Sequence, residues 1–417
     1  MSLRVLFLTE SFHPVLGGGE RHIRTVAAGL ARRGASATVI TRRTDAGWAE
    51  QESLDGIRVL RVPPAGGGRG GKYAMVPAAL RRLWGERARH DVVVVRGTRV
   101  LGLPGLLLGR ALGKGVVLQP ELNGEISGEI YTWGTPLHRP LARRLVGRAV
   151  AARNLLLKDA DAFVAMSRLI RDEFLEAGVA RERIAHIPHG VDTARFRPAA
   201  PGERAALRQR LGLPAPGVLF AYSGRLLRGK GLEALLEAFA RLAAGDAAAR
   251  LAVIGSGAGQ SLSVEAELRA RAGQADLAGR VRFMGRVDAV EDCLRSADVF
   301  VFPSLFEALG LALVEAAACG LACIGSRTGG IVDVIEDGRS GLLVRPGSAD
   351  ELAAAMASLA ADPARRAALG AAARREALAR FDLEGSLDGY GALFAEVSRR
   401  GGARPAGAGR ADAGPRR

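Results

Sequence analysis

Cysteine is nearly absent from this chain. The 417 residues contain three, Cys293, Cys319 and Cys323, all in the second half. So few cannot build a disulfide framework, and they suit a reducing, cytoplasmic setting. The apolar neighbours of Cys319 and Cys323 mark those two as inert core thiols. Aromatic residues are also scarce, at 5%, which leaves few rings on which nucleic-acid bases could stack. Long apolar runs are missing: Val100 to Leu118 is the longest, and Pro104, Arg110 and Lys114 interrupt it. A membrane span needs ~18 clean apolar residues, so none is expected. Met1 to Thr9 runs straight into a loop and lacks the three-part layout of a signal peptide. Acid is short as well, with 43 Asp+Glu against 59 Lys+Arg, for a net charge of +16. The imbalance is local. Residues 1–195 hold 30 basic and 18 acidic side chains, and residues 196–417 hold 29 and 25. A basic front half predicts an anionic partner for that half: nucleic acid, a membrane surface or an anionic acceptor.

What is present is a foldable composition, 48% hydrophobic and 24% charged. Its length allows two or three domains. Short apolar strands alternate with amphipathic helices from the start. Val5–Thr9 is followed by a loop with Gly17-Gly-Gly19, a helix over Glu20–Arg33 and a strand at Ala37–Thr41. Further strands are expected at 57–62, 92–95, 116–119, 162–165 and 184–187. Beyond a Pro-rich break the rhythm resumes at 218–223, 251–255, 281–284, 299–303, 322–325 and 341–344. This is the pattern of parallel sheets covered by helices on both faces. We therefore expect an α/β chain of two doubly wound, Rossmann-like domains, at 1–195 and 196–380. A helix over 381–400 would return to the first domain, and a Gly/Ala/Pro/Arg tail over 401–417 would be disordered.

Two segments carry chemistry. Ser223-Gly-Arg-Leu-Leu-Arg-Gly-Lys-Gly231 follows a strand and opens a helix. Its glycines permit tight turns, and Arg225 and Lys230 stand near a helix N-terminus. Fixed cations beside free N–H groups make a diphosphate site, the alternative being two solvated surface cations. The second segment, Pro303-Ser-Leu-Phe-Glu307-Ala-Leu-Gly310-Leu-Ala-Leu-Val-Glu315, also follows a strand. Glu307 lies past that strand's C-terminal end, where such sheets bind ligands. Glu315 sits in an apolar helical run, where a carboxylate needs a partner such as the vicinal diol of a ribose. No well-placed Asp-x-Asp motif appears. Asp159-Ala-Asp161 precedes a strand, so activity without a divalent metal is expected.

Together these segments resemble glycosyltransferase family 4, retaining enzymes of GT-B fold. The resemblance spans about residues 3–398 and includes Gly17-Gly-Gly-Glu20, Phe283-Met-Gly285, the Glu307-x7-Glu315 pair, Thr328-Gly-Gly330 and Asp337-Gly-x-x-Gly-Leu-Leu-Val344. It implies that two domains face each other across a cleft and that a hexose passes from a nucleotide diphosphate sugar, a UDP- or GDP-sugar, to a lipid-linked or polysaccharide acceptor in cell-envelope or exopolysaccharide synthesis. It also implies roles. Arg225 and Lys230 would hold the diphosphate and neutralise the leaving group. Glu315 would take the ribose hydroxyls and Glu307 the transferred sugar. The backbone of Leu309, Gly310 and Leu311 would face sugar and phosphate. Gly285 and Arg286 would meet the base, and Gly18 and Gly19 the donor phosphate.

One departure stands out. Many members carry a front-domain His facing the sugar, and here that stretch reads Leu118-Gln-Pro-Glu-Leu-Asn-Gly-Glu125. Glu121, Asn123 or Glu125 could take that side of the site, or the stretch is simply a polar loop. His13 could line the acceptor cleft or be merely exposed. Residues 136–158 carry Arg139, Arg143, Arg144, Arg148, Arg153 and Lys158 without an acid. Both a solvated helix face and contact with anionic lipid fit that segment, so peripheral membrane attachment stays open. The competing functions are a nucleotide-sugar epimerase or phosphorylase of related fold and a polyanion-binding protein. Nucleic acid is not the expected partner.

Overall fold

The computed structural model describes residues 3–15, 17–66, 70–129, 140–213, 217–260 and 262–402. The chain divides into two units, residues 1–187 with 387–417, and residues 188–386. The break falls at Ile187–Pro188 rather than near residue 195. The reason is pairing: Val191 N–H donates to Phe381 O at 2.8 Å and Leu383 N–H to Val191 O at 3.0 Å, which binds the 188–196 segment into the second unit.

The first unit holds β1 (Arg4–Leu8), β2 (Ser36–Arg42), β3 (Gln51–Leu54), β4 (Ile57–Val62), β5 (Val92–Arg96), β6 (Gly115–Gln119), β7 (Ala162–Ala165) and β8 (Ile184–His186). They form one sheet in the order β3-β4-β2-β1-β5-β6-β7-β8. All pairs are parallel except β3–β4. β3 was not expected from periodicity. Its short stretch is half polar, and Asp55-Gly56, both at positive φ, turn it back onto β4. Central strands are uninterrupted apolar runs because both faces are covered: Val92–Val95 are fully buried. Each such side chain contributes ~1.5–3 kcal/mol.

Helix α1 (Gly18–Arg32) begins within the triple-glycine loop, two residues earlier than expected, with Glu20 in its positive first turn. Helix α2 (Pro140–Leu157) carries the basic segment, with Arg144 and Arg148 exposed; residues 130–139, including Arg139, lie outside the described residues. The second unit holds β9 (Leu219–Ser223), β10 (Arg250–Ile254), β11 (Val281–Gly285), β12 (Val299–Phe302), β13 (Ala322–Ser326) and β14 (Leu342–Val344). They form an all-parallel sheet in the order β11-β10-β9-β12-β13-β14. Helix α3 (Leu232–Gly245) follows β9 and α4 (Leu311–Ala318) follows β12. The last helix, α5 (Leu383–Gly402), places Leu387, Tyr390, Phe394 and Val397 on one buried stripe in the first unit. There Leu387 packs on Gly29, and Phe394 meets Phe7 edge-on at 6.1 Å. Of the tail expected over 401–417, Gly401 and Gly402 belong to α5, which continues through Gly402, and residues 403–417 lie outside the described residues. Among the described residues no helix is long and apolar enough to cross a membrane.

Candidate functional site

In the second unit both sequence segments leave the C-terminal ends of adjacent strands, β9 and β12, so the sheet itself brings them together. The contact is intimate. Gly231 (φ 67°) passes so near β12 that a Cβ would lie 2.0 Å from Pro303 O, and Leu305 N–H donates to Gly229 O at 2.9 Å. The Lys230 ammonium then donates to Glu307 Oε2 at 2.6 Å, both side chains being only partly exposed. Arg225 is exposed and forms no ion pair with any described residue. The Lys230–Glu307 pair is internally neutral, so Arg225 supplies the net positive charge.

Glu307 is braced from behind. Gly330 N–H donates to Glu307 O at 3.0 Å, and a Cβ at Gly329 (φ 52°) would sit 2.0 Å from that same oxygen. Thr328 Oγ1 donates to Leu305 O at 3.2 Å, so the Thr328–Gly330 turn fixes the Glu307 backbone. Gly310 (φ 91°) caps α4, and Glu315 lies inside that helix at 3% exposure. Its charge reaches Arg195, whose guanidinium Glu291 holds at 2.9 Å and whose pKa is raised chiefly by that bond. Leu309 is buried and Leu311 half-buried at the same helix start. Gly285 ends β11 and accepts from Gly255 N–H at 2.8 Å, while Arg286 beside it is exposed. Tyr222, buried under the loop, donates to Arg225 O at 3.1 Å. Burial drives its hydroxyl pKa far up, so it remains a donor. Burial also pushes the Cys319 thiol up to about 12 and raises that of Cys323 further, as expected of these two core thiols, and it raises Cys293 to about 11.

In the first unit the residues singled out from sequence follow the C-terminal ends of β1 and β6, the two strands that flank β5. The strand order changes direction between β1 and β5, the usual ligand crevice of such sheets. Gly18 is exposed at the start of α1, and Gly19 is half-buried over Arg96, whose Nη2 would lie 2.7 Å from a Cβ at that position. Glu20 accepts from Ser11 Oγ at 2.6 Å. Arg96, 1% exposed, sits 3.5 Å from Glu121 Oε1 through Nε. Burial, against the pull of Arg96 and with the push of Glu125, Glu20 and Glu10, raises Glu121 to about 7.

Glu125 is otherwise engaged: its carboxylate accepts from Thr98 N–H and Oγ1 at 2.7 and 3.0 Å, and from the N–H groups of Glu121 and Leu122 at 3.1 Å each. Asn123 is half-buried. His13 is half-buried with Nδ1 3.3 Å from Arg24, and burial followed by that cation lowers its pKa. Asp161 accepts from Val116 N–H at 2.8 Å and so ties β7 to β6. Arg96, Glu10 and Glu173 were missed from sequence. The signal for Arg96 was there, an arginine closing the run Val92-Val-Val-Val95. Glu173 shows no such signal: it reaches 46 and 47 residues back to accept from Ser127 and Ile126 N–H at 2.6 and 2.8 Å.

Two doubly wound sheets with loops at the carboxyl ends of their strands are the architecture of a two-domain α/β transferase. The chain belongs to glycosyltransferase family 4 of GT-B fold. Residues 16–195 match the family described as Glycosyltransferase Family 4, and residues 203–376 match Glycosyl transferases group 1. The D-inositol 3-phosphate glycosyltransferase of Xylanimonas cellulosilytica is 31% identical over 93% of this chain and 94% of its own. The GDP-mannose-dependent monoacylated alpha-(1-6)-phosphatidylinositol monomannoside mannosyltransferase of Corynebacterium glutamicum is 32% identical over 92% and 95%. Sucrose-phosphate synthase from Thermosynechococcus elongatus superposes with a TM-score of 0.79 at 25% identity, covering 95% of this chain and all of that one. The protein is thus a glycosyltransferase of glycan synthesis that uses a nucleotide-sugar donor.

Proposed function

We propose that the protein transfers a hexose, with retention of anomeric configuration and without a divalent metal, from a UDP- or GDP-sugar to a lipid-linked or phosphorylated polyol or saccharide acceptor. The single observation that carries the donor assignment is the cluster of Arg225, Lys230 and Glu307 at the ends of β9 and β12. Breaking a sugar–diphosphate bond leaves negative charge on the phosphate oxygens and positive charge at the anomeric carbon. Arg225 and Lys230 meet the first with cations fixed in place before the reaction, and the Glu307 carboxylate favours the second. Glu315 takes the ribose diol, and the Leu309–Leu311 backbone at the start of α4 faces the sugar. Gly285 and Arg286 flank the base.

The acceptor belongs to the first unit, whose sequence carries most of the net positive charge. Both relatives act, by their names, on a phosphorylated inositol, free in one and lipid-bound in the other, and this supports an anionic acceptor. His13, Glu121 and Asn123 line that side, with Glu125 shaping the loop that carries Glu121. The same positive half, through α2, supports peripheral attachment to an anionic membrane surface.

A donor panel tests this reading. Calorimetric titration with UDP, GDP and ADP identifies the base, and incubating the matching sugar nucleotides with inositol phosphate and phosphatidylinositol identifies the acceptor. Nuclear magnetic resonance of the product then gives the anomeric configuration. Retention with full activity in chelator is expected. Inversion, or abolition of turnover by chelator, overturns the mechanism, and sugar interconversion without acceptor would favour the epimerase reading.

A further inference from the structure

At the opposite end of the second unit's sheet, a solvent-open cavity of about 350 Å³ is ringed by Arg250, Arg280 and Arg282 over a floor that includes Leu213, Leu219 and Leu251. Leu219, Arg250 and Val281 are the first residues of β9, β10 and β11, whereas the donor loops follow the last residues of β9 and β12, at the other end of the same parallel sheet. Five-residue strands at ~3.3 Å per residue separate the two places by more than ~10 Å, so the cavity is a different site.

Arginine stays charged at any physiological pH, and most guanidinium groups of this unit answer to a carboxylate. Arg271 is clasped by Glu237 and Asp276, Arg208 by Asp298 and Arg295 by Glu203. The three around the cavity differ. Arg250 gives Nη1 to Ala247 O and Ala249 O at 2.8 Å each, Arg280 gives Nη1 to Ala243 O and Asp246 O, and Arg282 gives Nη1 to Gly212 O at 3.0 Å. None of the three pairs with a carboxylate among the described residues, and their Nε and Nη2 groups find no protein acceptor there. Each side chain is therefore tethered by one nitrogen to main-chain carbonyls while its remaining donors stay available. Gly212 lets Arg282 lie flat against the chain, with Nη2 3.3 Å from where a Cβ would be.

Three guanidinium groups line one cavity, and none has a carboxylate within ion-pair distance among the described residues, so their remaining donors can meet an anion there. The guanidinium fork matches the paired oxygens of a phosphate. The volume exceeds a single phosphate and suits a diphosphate or a phosphorylated sugar, with the leucine floor under its less polar part. We propose that this cavity is a binding site for a phosphate-bearing anion, separate from the donor site and independent of the reading given for it.

The test uses inorganic pyrophosphate, titrated calorimetrically into the full chain at low ionic strength. Because pyrophosphate also suits the donor loop, every titration is repeated in an Arg225→Ala/Lys230→Ala background. Saturable binding is expected to survive in that background and to weaken at least about tenfold in Arg250→Gln/Arg282→Gln. Arg282→Lys, which keeps the charge but loses the fork, is expected to bind more weakly than the wild type and more tightly than Arg250→Gln/Arg282→Gln, and unchanged thermal melting checks that the variants fold. Co-sedimentation with phosphatidylglycerol and phosphatidylcholine vesicles identifies the phosphate's source. Binding to the anionic vesicles alone that falls in Arg250→Gln/Arg282→Gln supports the site with a lipid headgroup as its occupant, and pyrophosphate binding without it supports a soluble one. Equal affinity of the wild type and Arg250→Gln/Arg282→Gln for both probes overturns the proposal.

Discussion

The Lys230–Glu307 pair decides how the donor loop works at the scale of single side chains. A cation already bonded to a carboxylate at 2.6 Å must be shared with an incoming diphosphate. Glu307→Gln removes the competing charge, so this variant is expected to bind UDP or GDP more tightly while turning over the sugar nucleotide at least ~10-fold more slowly. Lys230→Ala and Arg225→Ala are each expected to lower kcat/KM by ~10²–10³-fold, the scale of losing one preorganised charge partner. Calorimetry and steady-state kinetics separate the two behaviours, and parallel loss of affinity in all three variants would contradict the sharing argument. Glu121 makes a second, pH-dependent case. Burial raises its carboxyl from the ordinary 4.5 to about 7, so the folded chain keeps a proton that the unfolded chain releases. That stabilisation is complete below about 4.5 and is lost as pH rises through about 7. Glu121→Gln is therefore expected to raise Tm relative to wild type at pH 8, by an amount worth ~1–3 kcal/mol, and to leave it unchanged at pH 4. Thermal melts at the two pH values measure the difference.

Loops carry more of the site than helices do, and their geometry depends on backbone contact. Gly329 makes the case at this scale: φ is 52° and a Cβ would stand 2.0 Å from Glu307 O. Gly338 also has positive φ, 75°, but faces open space. Gly338→Ala is expected to cost only the left-handed backbone penalty, ~1 kcal/mol. Gly329→Ala adds a clash with the main chain and is expected to cost ~2–4 kcal/mol and to weaken nucleotide binding, because it shifts Glu307. Denaturant melts and nucleotide titrations of the two variants side by side measure the gap. These elements also show what was legible from residues alone. The apolar strands and the Ser223–Gly231 and Pro303–Glu315 loops could be read because hydrophobic period and glycine spacing are local properties. β3 carried its own turn signal in Asp55-Gly56, but its strand is too short and polar to register as periodic. The bracing of Glu307 by Thr328–Gly330 and the roles of Glu125 and Glu173 could not be read. In each a carboxylate or carbonyl meets N–H groups that only the fold brings near. Glu125 illustrates the cost of that blindness: its letter in the sequence suggests a sugar contact, while one of its oxygens is spent on N–H groups of its own loop and the other on the N–H and hydroxyl of Thr98.

For the molecule as a whole, the uneven charge is the property that neither residue nor loop explains. Residues 1–195 hold 30 basic and 18 acidic side chains, and part of that excess lies along α2, where Arg144 and Arg148 are exposed. Many other arginines of this half are neutralised locally, Arg4 by Asp91, Arg58 by Glu86 and Arg61 by Glu52. Charge paired in this way adds little to the long-range field. What attracts a distant anionic surface is the unpaired remainder, and the exposed Leu155, at 67%, and Leu156 beside it offer apolar contact once that surface is reached. Cations near an anionic bilayer contribute ~1 kcal/mol each within a Debye length. Reversing two of them in Arg144→Glu/Arg148→Glu is thus expected to weaken binding to phosphatidylglycerol vesicles by well over tenfold. Raising salt from 50 to 500 mM, which shortens the screening length from about 14 to about 4 Å, is expected to weaken the wild type in the same direction. Vesicle co-sedimentation reads both. Loss with salt but indifference to Arg144→Glu/Arg148→Glu would move the contact off α2, and no binding at 50 mM salt would leave the anionic acceptor as the sole partner of the basic half.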